Sequence, residues 1–579
     1  MGDKKRSGRR KKRTFSGAAP KKKSKMAAPM TPVANAASSA KIGENLSQTP
    51  LNDTEKYIKE GFILIDSSIL CENLSKLVKC HQCGSSNVEC QIDRDAKQGL
   101  AHRISLKCDA CEESVSSFET SKKTDEGKSS TYEVNIRMVS FVRGIGKSYD
   151  TITQFSTYFN SPLPMTRKSY QRLLKRNHAV NKAVALDSMK AAAAEVKTKV
   201  GRDCTVSVDG TWQRRGHASH HGIVSVISSD TGKCLDAEAM SNICHGCVKW
   251  QNADKQSERY LKWRADHKCS MNHTGTANSM ESVGAVRIFG RSELFNDLRY
   301  VNYLGDGDSS AFKTVADSKP YDCDIQKLEC IGHVQKRVGA RLRKLKTNMK
   351  GKKLADGKGI GGLGRLTKMK IDVLQNYFGL AIRQNTGNLI DMQNNLMASL
   401  YHVASTDENP NHHKCPSGDD TWCKFNKDPN FKHKHGLPGA ILDIIEPIYD
   451  DLTDASLLAK CLHGMTQNNN ECLNKLIWDR CPKEIFVGNL VIEDGLYSAI
   501  SYFNDGGLSV YRLLEGLKLN PGYYTTIGLR RSDNARIYHS RRKSLDESKS
   551  RRKIIRGKKK HFQDTKEAQE GDTYSKGGH

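Results

Sequence analysis

The sequence predicts an α/β fold, and three observations lead to that prediction. Between residues 202 and 240, apolar and polar side chains alternate with the period of two that is typical of half-buried strands. Two more strand-like segments follow at 299–308 and 325–330. The period then changes to that of a helix at 333–346. Strands interrupted by helices indicate one mixed sheet with helices packed against it.

The first half of the predicted sheet consists of three consecutive strands. They are "CTVSVDGTW", which ends at Trp212, "GIVSVIS" at 222–228 and "KCLDAEAM" at 233–240. The tetrapeptide "SDTG" at 229–232 is typical of a hairpin turn. Three antiparallel strands followed by a mixed region are the way in which a ribonuclease H-like α/β core begins, so we expect such a core here.

The rest of the chain is organised around this core. A helix is predicted at 282–298, and Val334, Val338, Leu342 and Leu345 form an apolar stripe on the helix after the last strand. We divide the chain into a basic tail and linker (1–50), a zinc-ribbon-like unit (51–130), a helical region that is a candidate for DNA binding (131–200), the first part of the core (201–350, with a Cys/His-rich insertion at 241–275), a large helical insertion (351–462), the last part of the core (463–505), a C-terminal helical region (506–538) and a second basic tail (539–579).

The chain is strongly basic, and its positive charge is concentrated near the two ends. The net charge is +29 and the pI is near 9.4. Residues 1–25 carry 12 Lys and Arg against one Asp, and residues 530–560 carry 14 against three acids, so each segment has a net charge of +11. We expect disordered basic tails that serve nuclear import or contact phosphates. Plain solubilising charge is the alternative.

The composition also excludes some classes of protein. No segment approaches the roughly 18 apolar residues of a membrane span, and no secretory signal is recognisable at the N-terminus. Eighteen cysteines in such a chain indicate thiols or metal ligands rather than a disulfide framework. We therefore expect a nuclear protein that does not bind membranes.

Four cysteines form the strongest metal-binding motif of the sequence. Cys80, Cys83, Cys108 and Cys111 make two CxxC pairs that are separated by 24 residues. Four thiolates on two knuckles are the ligand set of a closed tetrahedral Zn²⁺ site. The sequence therefore predicts a zinc ribbon, with four unrelated buried cysteines as the alternative. Whether the ribbon contacts DNA or acts as a scaffold stays open.

Two further groups of cysteine and histidine follow. Cys244, Cys247, His267 and Cys269 are a candidate for a second Zn²⁺ site, although the second half of this motif lacks a regular spacing. A third group lies in a polar segment and contains His412, His413, Cys415, Cys423, His433 and His435. Ordinary solvated histidines are the alternative to a Zn²⁺ site in that segment.

Two predicted strands end on carboxylates. Asp209 lies at the end of the first strand, and Asp306 and Asp308 follow the fourth in "YLGDGDSSAF". An Asp-Gly turn is the simple explanation for Asp209, and a metal site is the functional one. A calcium loop at 306–317 is excluded because its sixth position is Ala311 instead of the Gly that the turn requires.

A third acid, Glu471, lies in the first turn of a predicted helix in "TQNNNECLNKLIW" at 466–478. A capping box between Asn468 and Glu471 is the structural explanation for this acid. Each of the acids has such an explanation when it is considered alone. Together, on two strands and one helix of a single α/β pattern, they resemble one site.

From about residue 200 to residue 505 the chain resembles the Mutator-like DDE transposases, in the variant typical of insect-type elements. The matching stretches are "VSVDGTWQRRGHASHHGIVSVIS", "YLGDGDSSAF", "KLECIGHVQKRVGARLRKLK", "STDENP", "CPSGDDTWCKFN" and "TQNNNECLNKLIWDRCPKEIFVG". The match is close and nearly continuous, and the upstream CxxC pairs fit it too. The resemblance implies cleavage of DNA at element ends and transfer of the 3′-OH ends into target DNA.

The resemblance also implies roles for individual residues. It implies a catalytic triad that binds two Mg²⁺ or Mn²⁺ ions, formed by Asp209, Asp306 and Glu471. Asp308 is the alternative to Asp306 as the second ligand. Cys330 and His333 match the Cys-x-x-His signature of this group, whereas packing at a strand–helix junction is the explanation without the resemblance. Two such ions activate the nucleophile and stabilise the leaving oxygen in phosphodiester cleavage.

The basic face of the helix at 333–346 is the best candidate for DNA contact near this site. The residues concerned are Arg337, Arg341, Arg343 and Lys344. Because transposases commonly act as dimers or larger assemblies, we expect a homo-oligomer. Two other hypotheses stay open. One is a domesticated relative that binds DNA without cutting it, and the other is a zinc-ribbon nucleic-acid-binding module whose acids are structural.

Overall fold

The computed structural model describes most of the chain between residues 41 and 570. The described ranges are 41–42, 60–93, 98–111, 114–124, 130–214, 219–306, 310–418, 421–428, 430–433 and 436–570. The predicted N-terminal tail, Asp308 and His435 lie outside these ranges. Residues 40–536 belong to one compact unit, and the residues from 537 onward belong to another.

The cysteine-rich part of the chain folds as a small three-stranded sheet. It contains helix α1 (Ser67–Leu77) and the antiparallel strands β1 (Val88–Ile92), β2 (Arg103–Cys108) and β3 (Ser114–Glu119), in the order β1-β2-β3. Val88 and Leu106 pack beside Cys80 and Cys108 in a core of few residues. A core of this size needs a crosslink for stability, which a metal ion bound by the cysteines can supply.

A five-stranded sheet forms the centre of the larger unit. Helices α2 (Glu133–Gly144), α3 (Tyr149–Tyr158) and α4 (Arg167–Val200) precede its strands, which are β4 (Asp203–Trp212), β5 (His221–Ser228), β6 (Cys234–Ser241), β7 (Arg299–Gly305) and β8 (Gln326–Glu329). The spatial order is β6-β5-β4-β7-β8. Strands β4, β5 and β6 are antiparallel, whereas β7 and β8 run parallel to β4. The five strands predicted from the sequence are confirmed.

Nineteen helices with defined bounds lie in the described part of the chain. Those that follow β6 are α5 (His245–Lys249), α6 (Glu258–Asp266), α7 (Ser279–Asn296), α8 (Ser310–Asp317), α9 (Ile331–Asn348), α10 (Lys368–Gln384), α11 (Leu389–Ala404), α12 (Lys424–Lys427), α13 (Gly439–Leu452), α14 (Ala455–Ala459), α15 (Asn468–Arg480), α16 (Asn489–Asp505), α17 (Leu508–Gly516), α18 (Gly522–Ser544) and α19 (Asp546–Glu570).

Both faces of the central sheet are covered by helices. On one face, Val206 and Val208 of β4 pack in a core with Ile288 of α7. On the other face, Ile227 of β5 packs with Ile477 of α15. This arrangement explains why every residue of β5 is buried, although the alternating sequence predicted strands that are only half-buried.

The chain between β8 and α15 is a helical insertion with its own core. Val338 and Leu342 of α9 pack in the same apolar cluster as Phe378 of α10 and Ile445 of α13. Helix α9 therefore belongs to this insertion by its packing, whereas the boundaries drawn from the sequence assigned residues up to 350 to the core of the sheet.

A buried ion pair joins the helical region before the sheet to α16. Arg143 of α2 donates from Nε to Asp494 Oδ2 at 3.0 Å, and the two side chains are only 5% and 1% exposed. Asn177 and Asn181 of α4 donate to the other carboxylate oxygen at 3.0 and 2.8 Å. The carboxylate of Asp494 thus accepts hydrogen bonds from two helices, which fixes α16 against them.

The C-terminal basic segment is helical as far as Glu570, and the expectation of a disordered tail at 539–579 stays a prediction. Helix α18 extends to Ser544, and α19 covers Asp546–Glu570. Lys, Arg, Glu and Gln have high helix propensities, so a high charge is compatible with a helix. None of the helices in the described ranges is long and apolar enough to span a membrane.

We expect the substitution Asp494→Ala to destabilise the protein by about 3–5 kcal/mol, because it leaves the buried Arg143 without its carboxylate. The matched control is Asp150→Ala, since Asp150 pairs with Arg167 at 2.5 Å on the surface and exposed pairs contribute below about 1 kcal/mol. Urea unfolding of both variants measures the difference. Equal losses of stability would contradict the role assigned to Asp494.

Candidate active site and zinc sites

Asp209 and Asp306 lie at the same edge of the central sheet. Strand β4 runs parallel to β7, and Ser207 is paired with Leu304. Each Asp is two residues beyond this pair along its strand, so both lie toward the carboxyl ends of adjacent parallel strands. Because Asp308 is outside the described residues, the choice between Asp306 and Asp308 stays a prediction.

Glu471 reaches the same edge from helix α15. It lies in the first turn, and the N-cap is Gln467, with no side-chain capping hydrogen bond among the described residues. The capping box that the sequence offered as a structural explanation is therefore not formed, since Asn468 is already inside the helix. Glu471 is 63% exposed, and its Oε1 lies 3.9 Å from Lys336 Nζ.

A row of side-chain hydrogen bonds, which we call the polar seam, attaches α15 to β4. Its members are Gln467 Nε2 to the Val208 carbonyl (2.8 Å), Ser207 Oγ to Asn470 Oδ1 (2.6 Å), Asn474 Nδ2 to Asp209 Oδ2 (2.7 Å) and Trp478 Nε1 to Thr211 Oγ1 (2.8 Å). The helix residues are spaced by three or four, so they share one face of α15. This face brings the turn that carries Glu471 to Asp209.

Cys330 and His333 lie at the start of α9, between Asp306 and the N-cap of α15. Cys330 is buried, and its Sγ accepts a hydrogen bond from the Gln467 backbone N–H at 3.4 Å. His333 Nδ1 lies 3.4 Å from Asp306 Oδ1. The pKa of His333 is raised, first by the Cys330 side chain and further by the charge of Asp306. His333 thus contacts Asp306 directly, whereas Cys330 contacts His333 and the N-cap of α15.

The surroundings of Asp209 disfavour the ionised form of its carboxyl group. Its pKa is raised from 3.8 to about 6, first by burial and, to a smaller extent, by the negative charges of Glu471 and Asp306. The hydrogen bond from Asn474 and the charge of His333 act in the opposite direction. The three predicted triad residues are therefore close enough to interact through their charges.

A fourth acid, Glu281, belongs to the same group and was missed by the sequence analysis. It lies in the first turn of α7. Burial raises its pKa to about 7, and the charges of Asp209 and Asp306 contribute. Gly210 makes room for it, since a Cβ there would lie 2.9 Å from the Glu281 side chain. In the sequence, the only sign that another side chain could come this close was Gly210, which follows Asp209 and has no side chain.

The first two predicted zinc sites are assembled in the fold. An ideal Zn²⁺ tetrahedron separates two thiolate sulfurs by about 3.8 Å and a sulfur from an imidazole nitrogen by about 3.6 Å. In the ribbon, Cys80 and Cys111 lie 4.0 Å apart, and the sulfurs of the other pair are at 3.7 Å. The four ligand atoms lie within 4.8 Å of one another, so this cluster could hold a zinc ion.

The second cluster has the same geometry. His267 Nε2 lies 3.4 Å from Cys244 Sγ and 3.3 Å from Cys247 Sγ, and Cys247 lies 3.7 Å from Cys269. Helix α5 supplies the Cys-x-x-Cys knuckle and α6 ends just before His267. All four predicted ligands are within reach of one zinc ion.

The sequence model of the Mutator-like transposase family matches residues 61–423, which is more than half of the chain. The protein belongs to the Mutator-like transposase family. No match was found among curated proteins or among solved structures. As a transposase, the protein has DNA as its partner, which agrees with its net positive charge.

The third predicted group of zinc ligands is corrected in part. His412, Cys415 and Cys423 lie together, but the fourth member of the cluster is His402, which the sequence analysis did not include because it lies on helix α11. His413 and His433 are not part of the cluster. His435 is outside the described residues.

Most of the basic residues predicted to contact DNA make ion pairs inside the transposase. Arg337 lies 2.8 Å from Glu329, Arg341 pairs with Asp451, and Arg343 lies 3.4 Å from Asp372. The fourth residue, Lys344, is exposed. Contact of this face with DNA stays a prediction, and the ion pairs indicate that the arginines also stabilise the helical insertion.

We expect Asp209→Asn to stabilise the metal-free transposase at pH 7.5. A carboxyl group whose pKa is raised in the folded state destabilises the fold as the pH rises from its unfolded value toward its folded value. A pKa of about 6 instead of 3.8 corresponds to roughly 3 kcal/mol at most. The melting temperature should therefore increase more at pH 7.5 than at pH 5.

The same pair of proteins tests whether the acids bind a divalent ion. Mg²⁺ should raise the melting temperature of the wild type at pH 7.5 more than that of Asp209→Asn, because it relieves the repulsion among the acids. Asp317→Asn is the control, since Asp317 is an exposed acid at the end of α8. An equal Mg²⁺-dependent shift in wild type and Asp209→Asn would contradict a metal site at this edge.

Gly210→Ala should destabilise the transposase by about 1–3 kcal/mol, because the new methyl group overlaps the Glu281 side chain. Combining it with Glu281→Ala should remove most of this penalty, because the smaller side chain leaves room. Gly290→Ala on α7, the helix that carries Glu281, is the control, since a Cβ there meets nothing within 4 Å. Additive losses in the double variant would show that the two positions do not interact.

Proposed function

We propose that this transposase is a DDE enzyme with a ribonuclease H-like core. The proposal is supported by the strand order β6-β5-β4-β7-β8, with three antiparallel strands followed by two that are parallel to the first of them. The observation that carries it is the proximity of Asp209, Asp306 and Glu471, which lie on two strands and one helix and interact through their charges. The DDE proposal specifies the reaction chemistry of a protein that belongs to the Mutator-like transposase family.

The donor set of this group fits Mg²⁺ or Mn²⁺. Carboxylate oxygens are the ligands that such hard ions prefer. The pKa values of Asp209 and Glu281 are raised to about 6 and about 7, first by burial and then by neighbouring acids, so a bound cation would stabilise their ionised forms. We propose that Asp209, Asp306 and Glu471 hold two ions. When bound, these ions activate the attacking oxygen and stabilise the leaving oxygen.

The neighbouring residues of the chain orient these carboxylates. Asn474 donates a hydrogen bond to Asp209 at 2.7 Å, which fixes the rotation of that carboxylate. His333 lies 3.4 Å from Asp306 on the other side and would keep its oxygen turned toward the site. Lys336, 3.9 Å from Glu471, adds a positive charge where a DNA phosphate would enter.

The DNA partner is proposed to be the element ends and the target DNA, bound by a homo-oligomer in the nucleus. The basic segments 1–25 and 530–560 support nuclear import and contact with phosphates. Lys336 and Lys344 are exposed on α9, and Lys336 lies beside the Glu471 carboxylate. They are the residues of this helix that we expect to meet the DNA backbone first.

Nicking of supercoiled plasmid in Mg²⁺ or Mn²⁺ tests the proposal. Wild type should nick, whereas Asp209→Asn, Asp306→Asn and Glu471→Gln should fall to the level measured without metal. Asp308→Asn distinguishes the two candidates for the second ligand, because only one of the two variants should be inactive. Asp317→Asn is the control for loss of a nearby acid and should nick like wild type.

DNA binding by each variant, measured by gel shift, separates catalysis from recognition. The DDE proposal requires that the inactive variants still bind DNA. If the wild type binds DNA and never nicks it, including the ends of its own element, the alternative of a domesticated DNA-binding relative is favoured. Unchanged nicking in all the triad variants would refute the triad.

A further inference from the structure

A long loop connects α11 to α13 in the helical insertion. We call residues 405–436 the zinc loop. In the described residues its regular structure is a single turn of helix, α12. Loops of this length without secondary structure are uncommon in compact proteins unless something else holds them. The buried residues inside it include two potential metal ligands, His412 and Cys423, at 7% and 0% exposure.

These two residues form a cluster with His402 and Cys415. His402 lies in the last turn of α11, so it belongs to the scaffold, while the other three belong to the zinc loop. All four ligand atoms are within 4.8 Å of one another. The cluster therefore joins three points along the loop to one point of a helix.

The distances match a tetrahedral zinc site. An ideal Zn²⁺ tetrahedron with two imidazoles and two thiolates places the nitrogens about 3.3 Å apart and each nitrogen about 3.6 Å from each sulfur. The Nδ1 atoms of His402 and His412 are 3.2 Å apart. The four nitrogen–sulfur distances are 3.8, 3.6, 3.7 and 3.5 Å, from Cys415 and Cys423 to each of the two rings.

A relay outside the cluster orients one of the rings. His412 faces the cluster with Nδ1, and its Nε2 lies 2.8 Å from His433 Nε2. His433 Nδ1 in turn lies 2.7 Å from Asp407 Oδ1. If each ring donates its proton toward Asp407, the Nδ1 of His412 is left with a lone pair that points into the cluster. Hydrogen-bonded partners of this kind are typical of histidines that bind metals.

We propose that His402, His412, Cys415 and Cys423 bind one structural Zn²⁺ ion that fastens the zinc loop to α11. Two thiolates and two imidazoles favour Zn²⁺ over Mg²⁺ or Ca²⁺. Four protein ligands close the coordination sphere, which is the arrangement of structural rather than catalytic zinc. The alternative of solvated histidines does not account for the burial of His412, which is also stacked on Phe425 at 4.2 Å.

The zinc content of the full-length protein tests this proposal. With the ribbon and the second cluster also occupied, the wild type should contain three zinc ions per chain, measured by mass spectrometry of the metal after exhaustive dialysis. Cys415→Ser combined with Cys423→Ser should contain one ion fewer. His413→Ala is the matched control, because His413 is the exposed neighbour of His412, and its zinc content should equal that of the wild type.

The ribbon serves as an internal reference. Cys80→Ser combined with Cys83→Ser should also remove one ion, and the loss should add to that of the zinc-loop variant. His433→Ala should retain the ion, but its affinity for zinc, measured by competition with a chelator, should fall about 10–100-fold. Residues that hydrogen-bond to metal ligands have effects of this size. A zinc-loop variant with the zinc content of the wild type would overturn the proposal.

A second measurement needs no substitution and covers the case in which the variant does not fold. Alkylation of the wild type followed by mass spectrometry should find Cys415 and Cys423 protected, and a zinc chelator should make both reactive. Cys461 is the control, because it is buried outside the three clusters and its protection should not depend on the chelator. Reactive Cys415 in the zinc-loaded protein, or a disulfide between Cys415 and Cys423, would overturn the proposal. The result is independent of nicking, so it stands whether or not the DDE proposal does.

Discussion

The polar seam between α15 and β4 is the interaction on which the candidate active site depends. It is built from directional hydrogen bonds of amide, hydroxyl and indole groups, so it specifies a register in a way that apolar packing does not. Asn470 is fully buried and exchanges hydrogen bonds with the hydroxyl and carbonyl of Ser207 at 2.6 and 3.3 Å. Rotation or sliding of the helix by one residue would leave these groups unpaired at a cost of about 1–3 kcal/mol each. The position of Glu471 beside Asp209 follows from this register, because Glu471 is the next residue in the helix.

The helical insertion does not displace α15 from β4, because backbone hydrogen bonds join the two ends of the insertion. The Glu329 backbone N–H donates to the Lys460 carbonyl at 2.9 Å, and the Ile331 N–H donates to the Met465 carbonyl at 3.3 Å. The chain therefore leaves the sheet and returns to it at the same place. Since the cost of closing a loop grows only slowly with its length, an insertion of this size is compatible with a precisely positioned α15. Its own apolar core, which includes Val338 and Phe378, stabilises it separately.

The sequence predicted those parts of the fold whose signal is local. Alternating side chains located the five strands, and the CxxC spacing located the ribbon. Glu281 and His402 escaped prediction because each lies in an ordinary helix, where a single Glu or His carries no pattern, and only the tertiary fold brings them to their clusters. The helix at 546–570 was not predicted, because a high density of Lys and Arg is typical of solvated tails although both residues are also good helix formers. Asp209 and Asp306 were informative because a buried strand rarely carries an acid near its carboxyl end without a partner, although β4 continues beyond Asp209 to Trp212.

The electrostatics of the sheet edge explain why its neighbours are polar and cationic. Burial raises the pKa of both Asp209 and Glu281, and the negative charge of Asp306 acts in the same direction on each of them. The hydrogen bond from Asn474 and the charge of His333 lower the pKa of Asp209 but leave it near 6, so the chain's own groups compensate the repulsion only in part. A fold that keeps acids together at this cost stores free energy that a bound cation can release. The stability of the rest of the molecule, with the seam, the buried Arg143–Asp494 pair and the cysteine clusters, is what allows this edge to remain strained.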